Sequence, residues 1–349
     1  MSGGGSLVGG APAPVRVMQS FGAPRATTNP YITMLDAALA GSAEVEHLRF
    51  DWRRALRGDY DAFHWHWPEG KLHGSTWWRS AGKTALTGLL WLRHRLSRRI
   101  AVVRTVHNVE LPDDTALRLA ILRRIERDAD LRILLSAATQ VPAGPSALIR
   151  HGHYRDWYGG HPRARRVAGR IGAFGGVRRY KNVGSLVEAY ADAAARRSGL
   201  SLRIGGRPST PELARSLEAR AATLPDARLA MRFLPDDELV LLASEASLVV
   251  LAYRFMHNSG SVLAALSLDR PVLVPRTAAN EALAAEVGHE WVHMYDGDLD
   301  AEALLAAVDA AAALDDAASP DLSAREWTTA AADHARAYRA AIDAKRGRR

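Results

Sequence analysis

Gly172-Ala-Phe-Gly-Gly-Val-Arg178-Arg-Tyr-Lys181-Asn182 carries the outline of the fold. An apolar, β-rich run over Val167–Phe174 enters it, Gly175 and Gly176 break that run, and a helical pattern over Val183–Ala195 leaves it. A strand that turns through glycine into a helix N-terminus presents free backbone N–H groups, the elements of an anion site. Arg178 and Lys181 add charge-assisted contacts of the kind a diphosphate takes, with Asn182 at the helix start. The same residues can also be read as a glycine turn with solvated cations.

Strand and helix alternate in both directions from this point. Downstream, strands are expected at Leu200–Ile204, Ala230–Phe233, Leu248–Ala252, Pro271–Val274 and Trp291–Met294. Helices are expected at Pro211–Thr223, Asp236–Glu245, Ser261–Leu268, Asn280–Val287 and Ala301–Leu314. Upstream, strands are expected at Val15–Phe21, Val45–Phe50, Ala62–Trp67, Ile100–His107 and Leu131–Leu135, with helices over about Thr76–Arg99 and Asp113–Asp128. Such alternation predicts parallel sheets with crossover helices. The stretch 140–165, rich in Pro, Gly and His, reads as a connection. The expected organisation is a flexible tail at 1–14, domains at 15–165 and 166–320, and a C-terminal helix with a basic tail at 321–349. The fold class is α/β, two doubly wound domains whose strand ends face a cleft.

Composition narrows the function. The 349 residues are 48% hydrophobic and 24% charged, a balance for packed structure. There are no cysteines, which removes disulfides, thiolate metal sites and cysteine nucleophiles. No apolar run reaches the ~18 residues needed to span a bilayer, and the tail has no signal-peptide pattern. Residues 1–181 hold 28 Lys and Arg against 14 Asp and Glu, so an anionic partner is expected of this half. No nucleic-acid motif accompanies that charge.

Other segments could carry chemistry. Tyr253-Arg-Phe-Met-His-Asn258-Ser259-Gly260-Ser261 again joins a strand to a helix, with small groups that let a phosphate approach the backbone or simply cap the helix. In Phe63-His64-Trp65-His66-Trp67-Pro68-Glu69, period-two alternation places His64 and His66 on one face, Trp65 and Trp67 on the other, and Glu69 past the strand end. His-x-His suits zinc, but no third ligand is apparent and no metal is expected. Thr105-Val-His107-Asn108 ends another strand, and His151-Gly-His153-Tyr lies in the connection. Ala81-Gly82-Lys83-Thr84 lacks the glycine of a phosphate loop, since Trp77 stands in its place. From Trp77 to Arg99, Trp and Leu are mixed with six Lys and Arg. That helix suits an anionic membrane surface, or burial of its Leu face with Arg outside.

Together, the two halves, the Thr-Val-His107-Asn108 strand end and the Arg178-x-x-Lys181-Asn182 loop resemble nucleotide-sugar glycosyltransferases of the GT-B fold. Those halves are Rossmann-like in that fold. His-Trp-Pro-Glu69, His151-Gly-His153-Tyr and Asn258-Ser-Gly-Ser narrow the resemblance to bacterial GDP-mannose:glycolipid 4-β-mannosyltransferases of exopolysaccharide assembly. It spans most of residues 15–320. The resemblance implies transfer of a sugar from a nucleotide diphosphate donor, GDP-mannose among the candidates, to a glycan or lipid-linked acceptor. It implies no cofactor and no metal, with Arg178 and Lys181 neutralising the donor diphosphate and His107 facing the transferred sugar. Ala264 and Met256 stand where many retaining members carry glutamates. Arg150 and Arg179 replace prolines common beside His-Gly-His and Tyr-Lys.

If the reaction inverts, a base must take the acceptor proton, and Glu69, then His66, then His107 are the candidates by strand-end placement. Gly175, Gly176, Arg178, Lys181, Asn182, Asn258, Ser259, Gly260 and Ser261 are the expected donor site. The alternatives are a GT-B-like sugar-nucleotide epimerase or hydrolase, or a non-catalytic sugar- or nucleotide-binding protein. The expected location is the cytoplasm, with peripheral attachment to the inner membrane face as the open variant.

Overall fold

The computed structural model describes residues 13–25, 27–107, 113–254, 256 and 259–347, which fall into two units. The first holds those up to Leu135, Gln140–His151 and the chain from Trp327 onward. The second holds Ser136–Thr139 and Gly152–Glu326. The continuous part of the second unit thus starts at Gly152, before the expected boundary at 166, and the C-terminal helix returns to the first.

Among the described residues the first unit has six parallel strands: β1 (Val15–Gln19), β2 (Val45–Leu48), β3 (Ala62–Trp65), β4 (Ala101–Val106), β5 (Leu131–Leu134) and β6 (Ser146–Leu148). Their order is β2-β1-β3-β4-β5-β6. Strand β6 lies inside the stretch read as a connection, three residues on the sheet edge and too short to show a period. Helices α1 (Pro30–Ala40), α2 (Trp52–Arg57), α3 (Trp77–Leu96) and α4 (Ala116–Arg127) belong to this unit. Val17, Ala62, Val103 and Ile133 pack on the side of α1 and the chain's last helix, α12 (Trp327–Gly347). Met18, Phe63, Trp65 and Val102 pack on the side of α3 and α4. Burial on both faces explains why Ala-Val-Val-Arg-Thr-Val of β4 shows no polar alternation.

The second unit has β7 (Arg170–Phe174), β8 (Ser201–Gly205), β9 (Ala227–Ala230), β10 (Leu248–Val250), β11 (Val272–Pro275) and β12 (Val292–Tyr295), ordered β12-β11-β10-β7-β8-β9. Its helices are α5 (Arg155–Tyr158), α6 (Val183–Arg196), α7 (Pro211–Ala221), α8 (Asp236–Glu245), α9 (Gly260–Ser267), α10 (Ala278–Val287) and α11 (Ala301–Ala312). Strand β9 sits earlier than the expected Ala230–Phe233. Its partner β8 ends at Gly205, opposite Ala230, so later residues have no ladder to join, and Phe233 is exposed. Thr210 caps α7 through the Leu213 N–H, with Pro211 at the first helical position. Asp236 opens α8 without capping it, and its carboxylate accepts from the Trp157 indole instead.

Of the two arrangements open to α3, burial of a Leu face is not the one adopted. Its inward face carries Ser80, Thr84 and Thr87, whose hydroxyls donate to the carbonyls of Gly74, Leu72 and Lys71. Those bonds satisfy a turn that would otherwise present unpaired carbonyls to the helix. Leu90 is buried, but Trp77, Trp78, Leu86, Leu89, Leu92 and Leu96 point to solvent.

Two buried arginines are register partners on adjacent strands, Arg104 of β4 and Arg132 of β5. Glu126 of α4 reaches both, each Nε lying 3.1 Å from one carboxylate oxygen. Without it, two guanidinium groups would face each other in a desolvated place. Glu126→Ala should therefore cost about 3–5 kcal/mol, seen as a lowered urea midpoint, with Glu126→Gln losing less because its amide oxygen still accepts.

Candidate active site

Each sheet reverses strand order once, between β1 and β3 in the first unit and between β7 and β10 in the second. Ligands of open α/β sheets sit outside the strand ends at such points.

In the first unit Gln19 ends β1 in register with His64 of β3, and Thr105 and His107 lie at the end of β4. The Gln19 amide donates to the Tyr338 hydroxyl (3.1 Å), and that hydroxyl donates to His64 Nδ1 (2.8 Å). His64 Nε2–H then donates to Thr105 Oγ1 (2.7 Å). The Gln19 carbonyl accepts from His66 Nε2–H (3.1 Å), so His66 Nδ1 accepts from His107 Nε2–H (3.2 Å). One ring nitrogen of His107, Nδ1, is left as a lone pair. Burial, then the neighbouring charges, pushes the His64, His66 and His107 rings well below the usual histidine range. Arg104 contributes to all three, and its guanidinium also donates to the carbonyls of His66 and Thr105.

The candidates for a base separate at this point. His66 is buried with both nitrogens engaged, so it has none to offer a substrate. Glu69 is half-buried in the 3-10 turn Pro68–Lys71, and its negative charge acts on Arg104. His107 is half-buried and stacks on Trp67 at 3.7 Å. That stacking corrects the facing of Trp67. Strand β3 ends at Trp65, so the alternation stops and Trp67 turns to the histidine side. Tyr31 of α1 sits among these rings, 5.3 Å from His107, 5.6 Å from Trp327 and 4.5 Å from His151. His153 falls in the second unit, with Nε2 3.1 Å from Glu326.

In the second unit Gly175 follows β7 with φ +102°, a conformation that favours glycine. A Cβ there would lie 3.3 Å from Ser261 Oγ and 3.4 Å from Lys181 Nζ, so the missing side chain leaves the space toward which both groups converge. Lys181 Nζ lies 4.8 Å above the Tyr253 ring, whose hydroxyl is 3.3 Å from Ser261 Oγ. Phe174, Gly176 and Val183 complete the hollow. Asn182 takes φ +50° and its side chain makes no capping bond, so α6 opens with N–H groups left free of a side-chain cap. Arg178 is exposed and has no carboxylate partner among the described residues. Ser259 caps α9 through the Val262 N–H, and the helix starts at Gly260, where Tyr154 Oη would lie 3.1 Å from any Cβ. Asn258 lies outside the described residues.

Among the described residues no group of three or more His, Asp or Glu is placed to hold a metal ion. No protein-family model matches the chain. Over 331 residues, 94% of this chain and 93% of its relative, it is 38% identical to a protein named GDP-mannose:glycolipid 4-beta-D-mannosyltransferase from Xanthomonas campestris pv. campestris. A second protein of that name and source matches at the same identity and coverage. The chain belongs to this family of glycosyltransferases.

Solved structures carry the fold. AviGT4, a glycosyltransferase involved in avilamycin A biosynthesis, aligns over 94% of this chain and 98% of its own at TM-score 0.59 and 14% identity. Anabaena HepE in complex with UDP aligns over 96% and 98% at TM-score 0.57 and 14% identity. The catalytic domain of Arabidopsis thaliana starch synthase IV aligns over 95% and 100% at TM-score 0.57 and 10% identity. The glycosyltransferase has the GT-B fold.

Gln19, Tyr31, Tyr253 and Tyr338 escaped sequence reading. Tyr253 opens the segment Tyr253–Ser261 but has no role there in the sequence reading, and Gln19 is an uncharged polar residue at the end of an apolar strand. Burial also holds His334 down to about 4 and His94 down to about 3. The folded state keeps these rings neutral while the unfolded chain takes up protons from about pH 6.5 downward. Stability is therefore full above pH 7 and falls with acidification, by about 2 kcal/mol for each of these two rings at pH 5. Urea unfolding at pH 7.5 and pH 5 reads that loss, and His94→Phe should reduce it.

Proposed function

We propose that this glycosyltransferase moves mannose from GDP-mannose to a glycolipid, forming a β-linkage at a 4-hydroxyl. The observation that carries the reading is 38% identity along nearly the whole of both chains to proteins of that name. GDP-mannose is α-linked, so a β product means inversion in one displacement. The acceptor oxygen forms its bond to C1 as the C1–oxygen bond to the diphosphate breaks, and that electron pair leaves with the diphosphate.

The donor diphosphate belongs on the hollow of the second unit. Lys181, Arg178 and the first N–H groups of α6 take up the charge that develops on the leaving group, and no metal is required. The Ser261 hydroxyl and the backbone N–H groups around Gly175, Gly176 and Gly260 donate to the phosphates at close range. The acceptor belongs to the first unit, where His107 Nδ1 takes the hydroxyl proton. Its low pKa keeps the ring unprotonated at pH 7, and the His66–Gln19 chain holds the tautomer. Glu69, whose charge acts on Arg104, is the second candidate. A lipid-linked acceptor places the enzyme at the inner face of an anionic membrane. No helix among the described residues is long and apolar enough to cross it.

Thermal-shift titration with GDP, UDP, dTDP and ADP tests the donor. GDP alone should stabilise, by about 2.7 kcal/mol at 100 times its dissociation constant, and Lys181→Ala should abolish the shift. The rate of Lys181→Ala should fall about 10²-fold, and chelator should leave the wild-type rate unchanged. A UDP-selective shift would refute the donor. His107→Gln should lose about 10²–10⁴-fold in kcat and Glu69→Gln far less; the reverse order transfers the role to Glu69. Because the base form is the neutral ring and its pKa is depressed, kcat/KM should stay flat above pH 6.5 and decline only below it.

A further inference from the structure

A second basic site lies at the opposite ends of the first unit's strands. Arg16 near the start of β1, Asp61 just before β3 and Ile100 just before β4 border a cavity of about 920 Å³. Its walls bring Arg93, Arg98, Arg99, Lys345 and Arg346 together against Asp59 and Asp61. Arg346 is paired with Asp61 at 3.1 Å, Lys345 with Asp130 at 3.2 Å and Arg16 with Glu46 at 3.1 Å. No carboxylate among the described residues pairs with Arg93, Arg98 or Arg99; Arg93 Nη2 donates to the Arg57 carbonyl (2.5 Å), while its Nε is buried without a hydrogen-bond partner. Three arginines that lack a carboxylate partner, set in one hollow, form a receptor for an anion.

The neighbouring surface says what bears that anion. Arg93 belongs to α3 and Ser97 caps its end, so the cavity opens where that helix stops. Trp78, Ala85, Leu89, Leu92 and Leu96 follow one another at steps of seven, four, three and four residues, a single face of α3, and all are exposed. Trp77 is 82% exposed and Leu96 72%, values a water-facing helix has no reason to hold. Arg79, Lys83 and Arg95 stand beside the row. At about 1.5 Å per residue the helix lays some 30 Å of apolar edge along the surface, with cations beside it and a basic hollow at its end. A soluble phosphate would leave the apolar row uncovered. A lipid leaflet covers the row and supplies the anion together.

We infer that α3 lies in the headgroup layer of an anionic leaflet and that the Arg93–Arg98–Arg99 cavity receives a phospholipid headgroup phosphate. This gives the membrane attachment proposed above a specific site, and it rests on that attachment and not on the identity of the sugar. The full-length protein is mixed with vesicles of phosphatidylcholine alone or with phosphatidylglycerol added, and co-sedimentation is measured at low and high salt. Binding should require phosphatidylglycerol and weaken with salt. Arg98→Glu/Arg99→Glu should lose at least about tenfold in vesicle affinity. Leu89→Ser/Leu92→Ser should also lose binding, and both variants should unfold at the wild-type midpoint because these side chains are exposed. Equal binding to neutral vesicles, or undiminished binding by the arginine variant, overturns the headgroup site. Stabilisation by glycerol phosphate without vesicle binding also overturns it, in favour of a soluble phosphorylated ligand. GDP thermal shifts on the same preparations separate these outcomes from failure of the donor reading.

Discussion

A single buried charge, the Arg104 guanidinium, sets the conditions in the first unit. It is held in place by Glu126, which also answers Arg132 directly across the strand pair. Burial pulls the guanidinium below its ordinary value, yet an arginine remains charged inside a protein. That fixed charge does two things. It ties the chain after β3 by bonding the His66 carbonyl, and its field opposes protonation of His64, His66 and His107. A carboxylate on α4, remote in sequence from every ring, thus helps decide the protonation state of the strand ends.

The C-terminal helix supplies the second constraint. Tyr338 is fully buried and uses one hydroxyl to join Gln19 of β1 to His64 of β3. Its acceptance from Gln19 orients the amide, the amide orients His66, and His66 orients His107. Every ring tautomer along this line follows from a side chain some 230 residues downstream of His107. A helix that looks like an appendage in sequence is therefore part of the first unit's core and of its site.

Sequence reading reached what local pattern encodes. The glycine turn at Gly175 and the helix after Asn182 follow from strand-turn-helix grammar; that Lys181 and Ser261 converge beside the turn is shown by the structure alone. It failed where the decisive information was remote. The end of β9 is set by the length of β8, and the facing of Trp67 by the early end of β3. His66 looked like a reactive group because strand alternation says which face a side chain takes, not whether its nitrogens are already occupied. Gln19 and Tyr338 carry no motif, since their role exists only when β1, β3 and α12 are assembled.

Helix α3 is a case that the sequence left open. Its composition allowed two arrangements, and the expected preference for burying leucine made them look equivalent. The choice was made by Ser80, Thr84 and Thr87, which the turn at 71–74 needs as donors for its carbonyls. Once those hydroxyls face inward, helical geometry forces Leu89, Leu92 and Leu96 outward whatever their hydrophobicity. Leaving several large side chains in water forgoes about 1.5–3 kcal/mol for each one that could have been buried. Local rules broken at this scale, on one contiguous face, belong to surfaces that are completed by something outside the chain. The polar lining of α3 and its apolar exterior are thus one feature: the side chains that anchor the helix to the fold are also the ones that turn its leucines away from it.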